Sequence, residues 1–224
     1  MRDLKVRPAP KPHARGEDNR DERQERHRCF MLAAPTRHPS TTLQDQRADT
    51  GPRRRHTGDD PMPSQDQIIG LMAFTRTMTL SLLKGWPADK LTHQSAPTDN
   101  HVLWVIGHLI GTDAWICDLV GAPRVQAPET LLKACGMGSK PTKNAADYAP
   151  LPEMLKLLES ARAGLVSWLK SATPAQLSVP LNDKTQGFAD DPADALYKLV
   201  WHEGWHAGQI ASLRKSLGLA PIMG

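Results

Sequence analysis

Cysteine is scarce, aromatic residues other than tryptophan are few, and long apolar runs are missing. The 224-residue chain has three cysteines, three phenylalanines and two tyrosines. Cys29, Cys117 and Cys135 show no paired spacing and leave one unmatched. That argues against a disulfide framework and fits a reducing, cytoplasmic setting. No uninterrupted apolar run reaches the roughly 18 residues needed to span a bilayer, so no membrane segment is expected. The N-terminus lacks the apolar core of a secretory signal. Period-2 alternation with β-branched residues is also absent, which leaves no case for strands.

Charge is present but unevenly placed. The formal net charge is +4. Residues 1–61 hold 14 of the 28 basic and 10 of the 24 acidic residues, so the whole excess lies there and residues 62–224 are balanced. The same 61 residues carry seven prolines and only 13 apolar residues, with Phe30 the lone aromatic. Such a segment cannot bury enough surface to offset its chain entropy, so a disordered basic tail is expected. Its run Arg53-Arg54-Arg55 suits an arm that binds nucleic-acid phosphates. Interspersed acids and the lack of aromatic interleaving speak against that and against a transit peptide. A third reading makes residues 1–61 a spurious upstream extension, with the natural chain starting at Met62. Residues 62–224 are the size of one domain, and their charge balance makes nucleic acid an unfavoured partner of the folded part.

That domain reads as four amphipathic helices. Ser64 with Gln67 forms a capping-box pattern opening a helix to about Lys84. A second helix is expected from about Asn100 to Leu119, with Thr98, Asp99 and Asn100 as candidate caps and Gly121 as its stop. A third runs from about Pro152 to Lys170. The fourth opens at Asp191-Pro192, a cap followed by proline at the first helical position, and runs to Leu217. Residues 122–150 and 171–190 are long connections. The expected fold is therefore all-α, a four-helix bundle with crossovers allowed.

The chemistry points to histidine. His202 and His206 are four residues apart, which puts both imidazoles on one helix face, as a two-nitrogen metal grip requires. His108 sits between Gly107 and Leu109 in an apolar helix, where an unsatisfied imidazole is costly. Residues 202–206 also match H-E-x-x-H, the pattern in which Glu203 would be a general base beside zinc. No His, Asp, Glu or Cys follows residue 206, so a third ligand must lie upstream, and His108 is the leading candidate. His101, two turns before His108, is a substrate contact or a helix-end residue. Trp104, Trp201 and Trp205 are expected in the core, Gln209 near the site or at the surface, and Asp113 at the periphery. Cys117 lies about 13 Å along the helix from His108, too far to share an ion with it.

Two segments carry a family resemblance. The run from Asn100 to Leu109, with Trp104, Gly107 and His108, is followed far downstream by His202-Glu203-Gly204-Trp205-His206-Ala207-Gly208-Gln209-Ile210. Together they resemble the DinB-like (YfiT-like) superfamily of damage-inducible and thiol-linked bacterial proteins, over about residues 64–220. The resemblance implies a four-helix bundle, often a homodimer. It also implies a divalent metal site formed by His108, His202 and His206. Zinc, nickel, iron and manganese all accept imidazole. Three protein nitrogens leave positions open, as in catalytic rather than structural sites. Members that resemble this chain include thiol S-transferases and a thiol-dependent isomerase. The implied function is a metal-dependent transferase or hydrolase acting on a small molecule, with a low-molecular-weight thiol as cosubstrate. The rivals are a non-catalytic metal-binding stress-response bundle and a nucleic-acid binder working through its basic tail.

Overall fold

The computed structural model describes residues 64–185 and 187–222. The expected tail, residues 1–61, lies outside the described residues. Among the described residues there are six α-helices and no strand. Four are long: α1 (Gln65–Leu82), α2 (Val102–Val120), α4 (Leu151–Ser171) and α6 (Pro192–Ser216). Two are short: α3 (Glu129–Ala134) and α5 (Pro174–Leu177). The first four match the helices expected from periodicity; α5 interrupts a stretch expected to be all loop.

Local chemistry sets the boundaries. Ser64 and Gln67 form the full capping box at α1. Asp191 accepts from the Asp194 amide at α6, with Pro192 next to it. Gly121 closes α2 in the left-handed region at φ 73°, where glycine carries no Cβ penalty. The start of α2 differs from expectation. Its cap is His101, whose Nδ1 accepts from the Trp104 amide while its Nε2–H donates to the Thr142 carbonyl. Asp99 cannot serve because its carboxylate is taken by Ser95 and the Ala96 amide.

Cross-helix bonds give the directions. Arg76 on α1 meets Glu203 on α6, and Arg214 near the end of α6 donates to the Leu82 and Lys84 carbonyls at the end of α1. These two helices run parallel. Gln65 donates to Leu169 and Ala172, and Arg76 to Leu158, so α4 runs antiparallel to α1. Asn100 meets Gln209 while His108 meets His202, so α2 is antiparallel to α6. The order is up-down-down-up, and the step from α2 to α4 is a crossover through residues 121–150. Helix α2 is long and apolar enough to cross a bilayer by length and composition, but 78% of its apolar window is buried inside the protein. It is the core helix of the bundle.

The core has two apolar halves. One gathers Val105, Ile106, Leu109, Met154, Leu158 and Ile210. The other gathers Ile68, Met72, Ile116, Leu165, Leu169 and Leu196. Between them lies an ionic layer with one residue from each long helix. Asp113 (α2) accepts from Arg76 (α1) at 2.9 Å and from Arg162 (α4) at 2.8 Å. Glu203 (α6) accepts from the same two arginines at 2.7 Å each. All four are buried, and two guanidinium groups balance two carboxylates. Such a layer gains little over apolar packing when intact, but it is costly to break because the survivors stay buried and charged. Asp113→Ala is expected to lower the unfolding free energy by about 3–5 kcal/mol in urea denaturation. A loss under about 1 kcal/mol would show that the layer is not held closed.

Candidate metal centre

His202 and His206 stand one turn apart on α6, and the antiparallel α2 brings His108 to meet them. The Nε2 atoms of His108 and His202 are 3.2 Å apart, as are those of His202 and His206. One ligating nitrogen from each of the three lies within 4.8 Å of the others. All three rings are buried. At Zn–N bond lengths of 2.0–2.1 Å, two nitrogens on one ion stand about 3.0 Å apart at a right angle and about 3.4 Å apart at the tetrahedral angle. The observed 3.2 Å falls between for both pairs that include His202, the spacing of two nitrogens on one divalent ion.

Two of the imidazoles have their tautomer set from behind. His108 Nδ1–H donates to the Cys135 carbonyl at 3.0 Å. His206 Nδ1–H donates to Gln209 Oε1 at 2.9 Å, and Asn100 Nδ2 reaches the same oxygen at 3.4 Å. With the proton on Nδ1, each Nε2 presents a lone pair inward. A proton on His202 Nε2 can satisfy one of those lone pairs well, but not both.

Loop packing makes the first bond possible. A Cβ on Gly107 would stand 2.8 Å from Cys135 Cβ and 3.1 Å from Leu131, so only glycine lets α3 lie against α2 and bring the Cys135 carbonyl to His108. Trp104 covers His108 face to face, with ring centroids 4.7 Å apart and planes 11° off parallel. Its Nε1–H donates to Ser139 Oγ, which donates in turn to the Ala134 carbonyl. His101, Thr142 and Tyr148 tie down the next stretch of the same crossover. Residues 134–148 thus form a fixed wall beside the histidines.

Burial lowers the basicity of all three. It takes His108 down to about 4, helped by His206, and His202 to about 2, helped by His206 and His108. It lowers His206 as well, against the Gln209 bond and Glu203, which pull the other way. Burial drives the thiols of Cys117 and Cys135 up to about 12, so both stay protonated. Neither offers a thiolate to an ion.

The remaining sequence-level candidates land as follows. The Glu203 carboxylate turns toward Arg76 and Arg162, with both oxygens bonded to guanidinium. Asp113, expected at the periphery, is fully buried in that layer. The physical reason is that Arg76 and Arg162 meet it from two other helices. Trp104 is buried as expected, whereas Trp201 and Trp205 are 59% and 58% exposed. They sit on the side of α6 turned away from the helices that pack around the histidines. His93 is exposed and bonds Ser216. The residues not foreseen are Arg76, Arg162 and the Cys135 carbonyl. A signal existed for Arg162, which occupies an apolar register between Leu158 and Leu165, and a weaker one for Arg76, which follows Met72 by one turn.

The lowered basicities fix a pH dependence for the chelator-treated chain. In the unfolded chain each imidazole binds its proton near pH 6.5; in the fold His108 does so only near 4 and His202 lower still. Between those values the unfolded state binds more protons, so stability falls as pH falls from about 6.5 toward 4. Tm measured across that window is expected to drop steadily. A flat Tm would contradict the buried, neutral state of these rings.

A family model described as the DinB superfamily matches residues 71–210, which is more than half of the chain and includes all three histidines. No curated protein matches the chain. This chain therefore belongs to the DinB superfamily.

Proposed function

We propose that His108, His202 and His206 hold a divalent metal ion through their Nε2 atoms, and that the protein is a metal-dependent enzyme acting on a small molecule. The observation that supports this most is the convergence of three Nε2 atoms, two of them with their Nδ1 protons already committed outward. An ion held there would act as a Lewis acid and lower the pKa of a bound water or thiol. The reaction class we favour is thiol transfer or hydrolysis, with a low-molecular-weight thiol as cosubstrate. The charge around the site supports a ligand that becomes anionic. The three histidines are neutral, their outward partners are an amide and a backbone carbonyl, and the ionic layer beneath sums to zero. Among the described residues nothing in this surround compensates a dication, so an incoming thiolate or hydroxide would.

The chain's own residues do the positioning. Gln209 and the Cys135 carbonyl orient two rings, Trp104 and the 134–148 wall restrict access to His108, and the ionic layer holds α2 against α6. The buried, protonated Cys117 and Cys135 support a cytoplasmic setting.

For Glu203 the sequence suggests a proton acceptor. That role would require its carboxylate to leave two guanidinium groups. Glu203→Gln separates the alternatives. A positioning role gives a lowered Tm and weakened turnover that recover together when the protein is stabilised by added osmolyte. A base role gives turnover that stays lost when added osmolyte restores the Tm.

Metal analysis of the full purified chain tests the reading itself. One divalent ion per chain is expected, and His108→Ala, His202→Ala or His206→Ala should each remove stoichiometric binding. Gln209→Leu should keep the stoichiometry and weaken affinity roughly 10–100-fold in chelator competition, as loss of an orienting partner does. Wild-type protein that binds no divalent ion, or His108→Ala protein that binds it as tightly, would refute the site. Loaded protein assayed for conjugation against a panel of small thiols then tests the reaction class.

A further inference from the structure

We propose that the groove between α1, α6 and the C-terminal segment binds a small amphipathic carboxylate, with its apolar body between the helices and its head on Arg214 and Lys215. The inference does not depend on the metal site. The groove lies on the α1 side of α6, whereas the histidines face α2.

The groove comes from small residues where two parallel helices end. Met78 and Leu82 form its α1 wall, Ala207 and Ala211 its α6 wall, and Leu219 and Ile222 the third. The space they border is about 580 Å³. Small-molecule pockets run from roughly 300 to 1,000 Å³ and have apolar walls with a few convergent polar groups. Between Ala207 and Ala211, Gly208 has open space where a Cβ would project, so no side chain of this turn fills the hollow. The third wall is tied in place. The Leu219 amide donates to the Arg214 carbonyl at 3.1 Å, and Arg214 Nε–H donates to the Ala220 carbonyl at 2.7 Å. Ile222 packs back against the apolar cluster that holds Leu82 and Ile210.

Arg214 sets the chemistry of the ligand. Its side chain is 9% exposed and clamps the end of α1, with Nη1 donating to the Leu82 carbonyl at 3.0 Å and the Lys84 carbonyl at 2.7 Å. With the Ala220 bond, the clamp uses three of the five N–H groups of a guanidinium. Nη2 bonds nothing among the described residues, it keeps access to solvent, and Arg214 lines the groove. All three partners of the clamp are carbonyl oxygens, so no carboxylate among the described residues neutralises this cation. Lys215 lines the groove beside it and forms no ion pair among the described residues. None of the lining residues is acidic, and no Asp or Glu follows Glu203 in the chain. The negative ends of the helix dipoles offset part of this charge. A buried guanidinium with two N–H groups to spare still favours an anionic acceptor, because such charge-assisted bonds are the strong ones. A carboxylate matches the donors present. One oxygen meets Nη2, the other meets the Lys215 ammonium, and an alkyl or aryl body displaces water from the apolar walls. A cationic ligand would meet like charge.

Isothermal titration calorimetry of the full chain with decanoate tests this. One molecule per chain is expected, with or without chelator and equally in His108→Ala. Affinity should rise roughly threefold per methylene from hexanoate to decanoate. Decanol and decylamine should bind at least tenfold more weakly than decanoate. Lys215→Met should weaken binding several-fold. Ala211→Trp, at an exposed position on the groove wall, should abolish it. Both variants should retain helical circular dichroism and thermal midpoint. Four results would overturn the proposal. Decanoate that saturates no site would do so directly. Decanol that binds as tightly as decanoate would remove the role of the two cations. Binding unchanged in Ala211→Trp would place the ligand elsewhere. Binding lost on chelation or in His108→Ala would give the carboxylate to a metal ion instead of the groove.

Discussion

The four-cornered ion layer of Arg76, Asp113, Arg162 and Glu203 is the constraint on which the rest of this bundle depends. Apolar packing alone tolerates sliding of one helix past another, because leucines and isoleucines exchange neighbours at small cost. Charged groups removed from water do not. Each guanidinium here must meet both carboxylates, and each partner comes from a different helix. One register of all four long helices satisfies that demand. The layer divides the apolar core into two halves and fixes α2 against α6 at the height where His108 meets His202 and His206.

The site inherits its precision from that registry and from the crossover. A histidine cluster on helices that drift by one turn, about 5.4 Å, would lose its convergence entirely. The crossover is long because α2 and α4 run in the same direction, and its length is used. It packs α3 against Gly107, delivers the Cys135 carbonyl to His108, and ties Trp104, Ser139, His101 and Thr142 into a wall. Orientation of the imidazoles thus comes from uncharged acceptors. The ionic layer below is self-neutralised. The electrostatic result is a buried trio of neutral imidazoles with no net negative charge beside it among the described residues, a setting that favours an ion together with an anionic ligand.

Much of this was legible in the chain. The capping box at Ser64, the Asp191-Pro192 start and the glycine at 121 encode helix ends through local chemistry, and the structure places them accordingly. The four-residue spacing of His202 and His206 and the apolar setting of His108 were enough to nominate three histidines, because one helix face and one buried imidazole are local facts. What the sequence hid is what depends on partners remote in the chain. Asp113 reads as peripheral until two arginines arrive from α1 and α4. His101 reads as a substrate contact or a helix-end residue until Trp104 and Thr142 take both nitrogens of its buried ring. The acceptor behind His108 is a backbone carbonyl, which no side-chain pattern announces. Trp201 and Trp205 read as core because they are large and apolar, yet the bundle has only four sides to fill, and theirs faces outward.

The central claim is that three imidazoles, and no thiolate or carboxylate of this chain, hold one divalent ion. X-ray absorption spectroscopy of the loaded full-length protein tests it most directly. The account predicts three imidazole nitrogens at about 2.0–2.1 Å, with the remaining scatterers oxygen, if the ion is zinc. A sulfur shell near 2.3 Å, or fewer than three imidazoles, would contradict it.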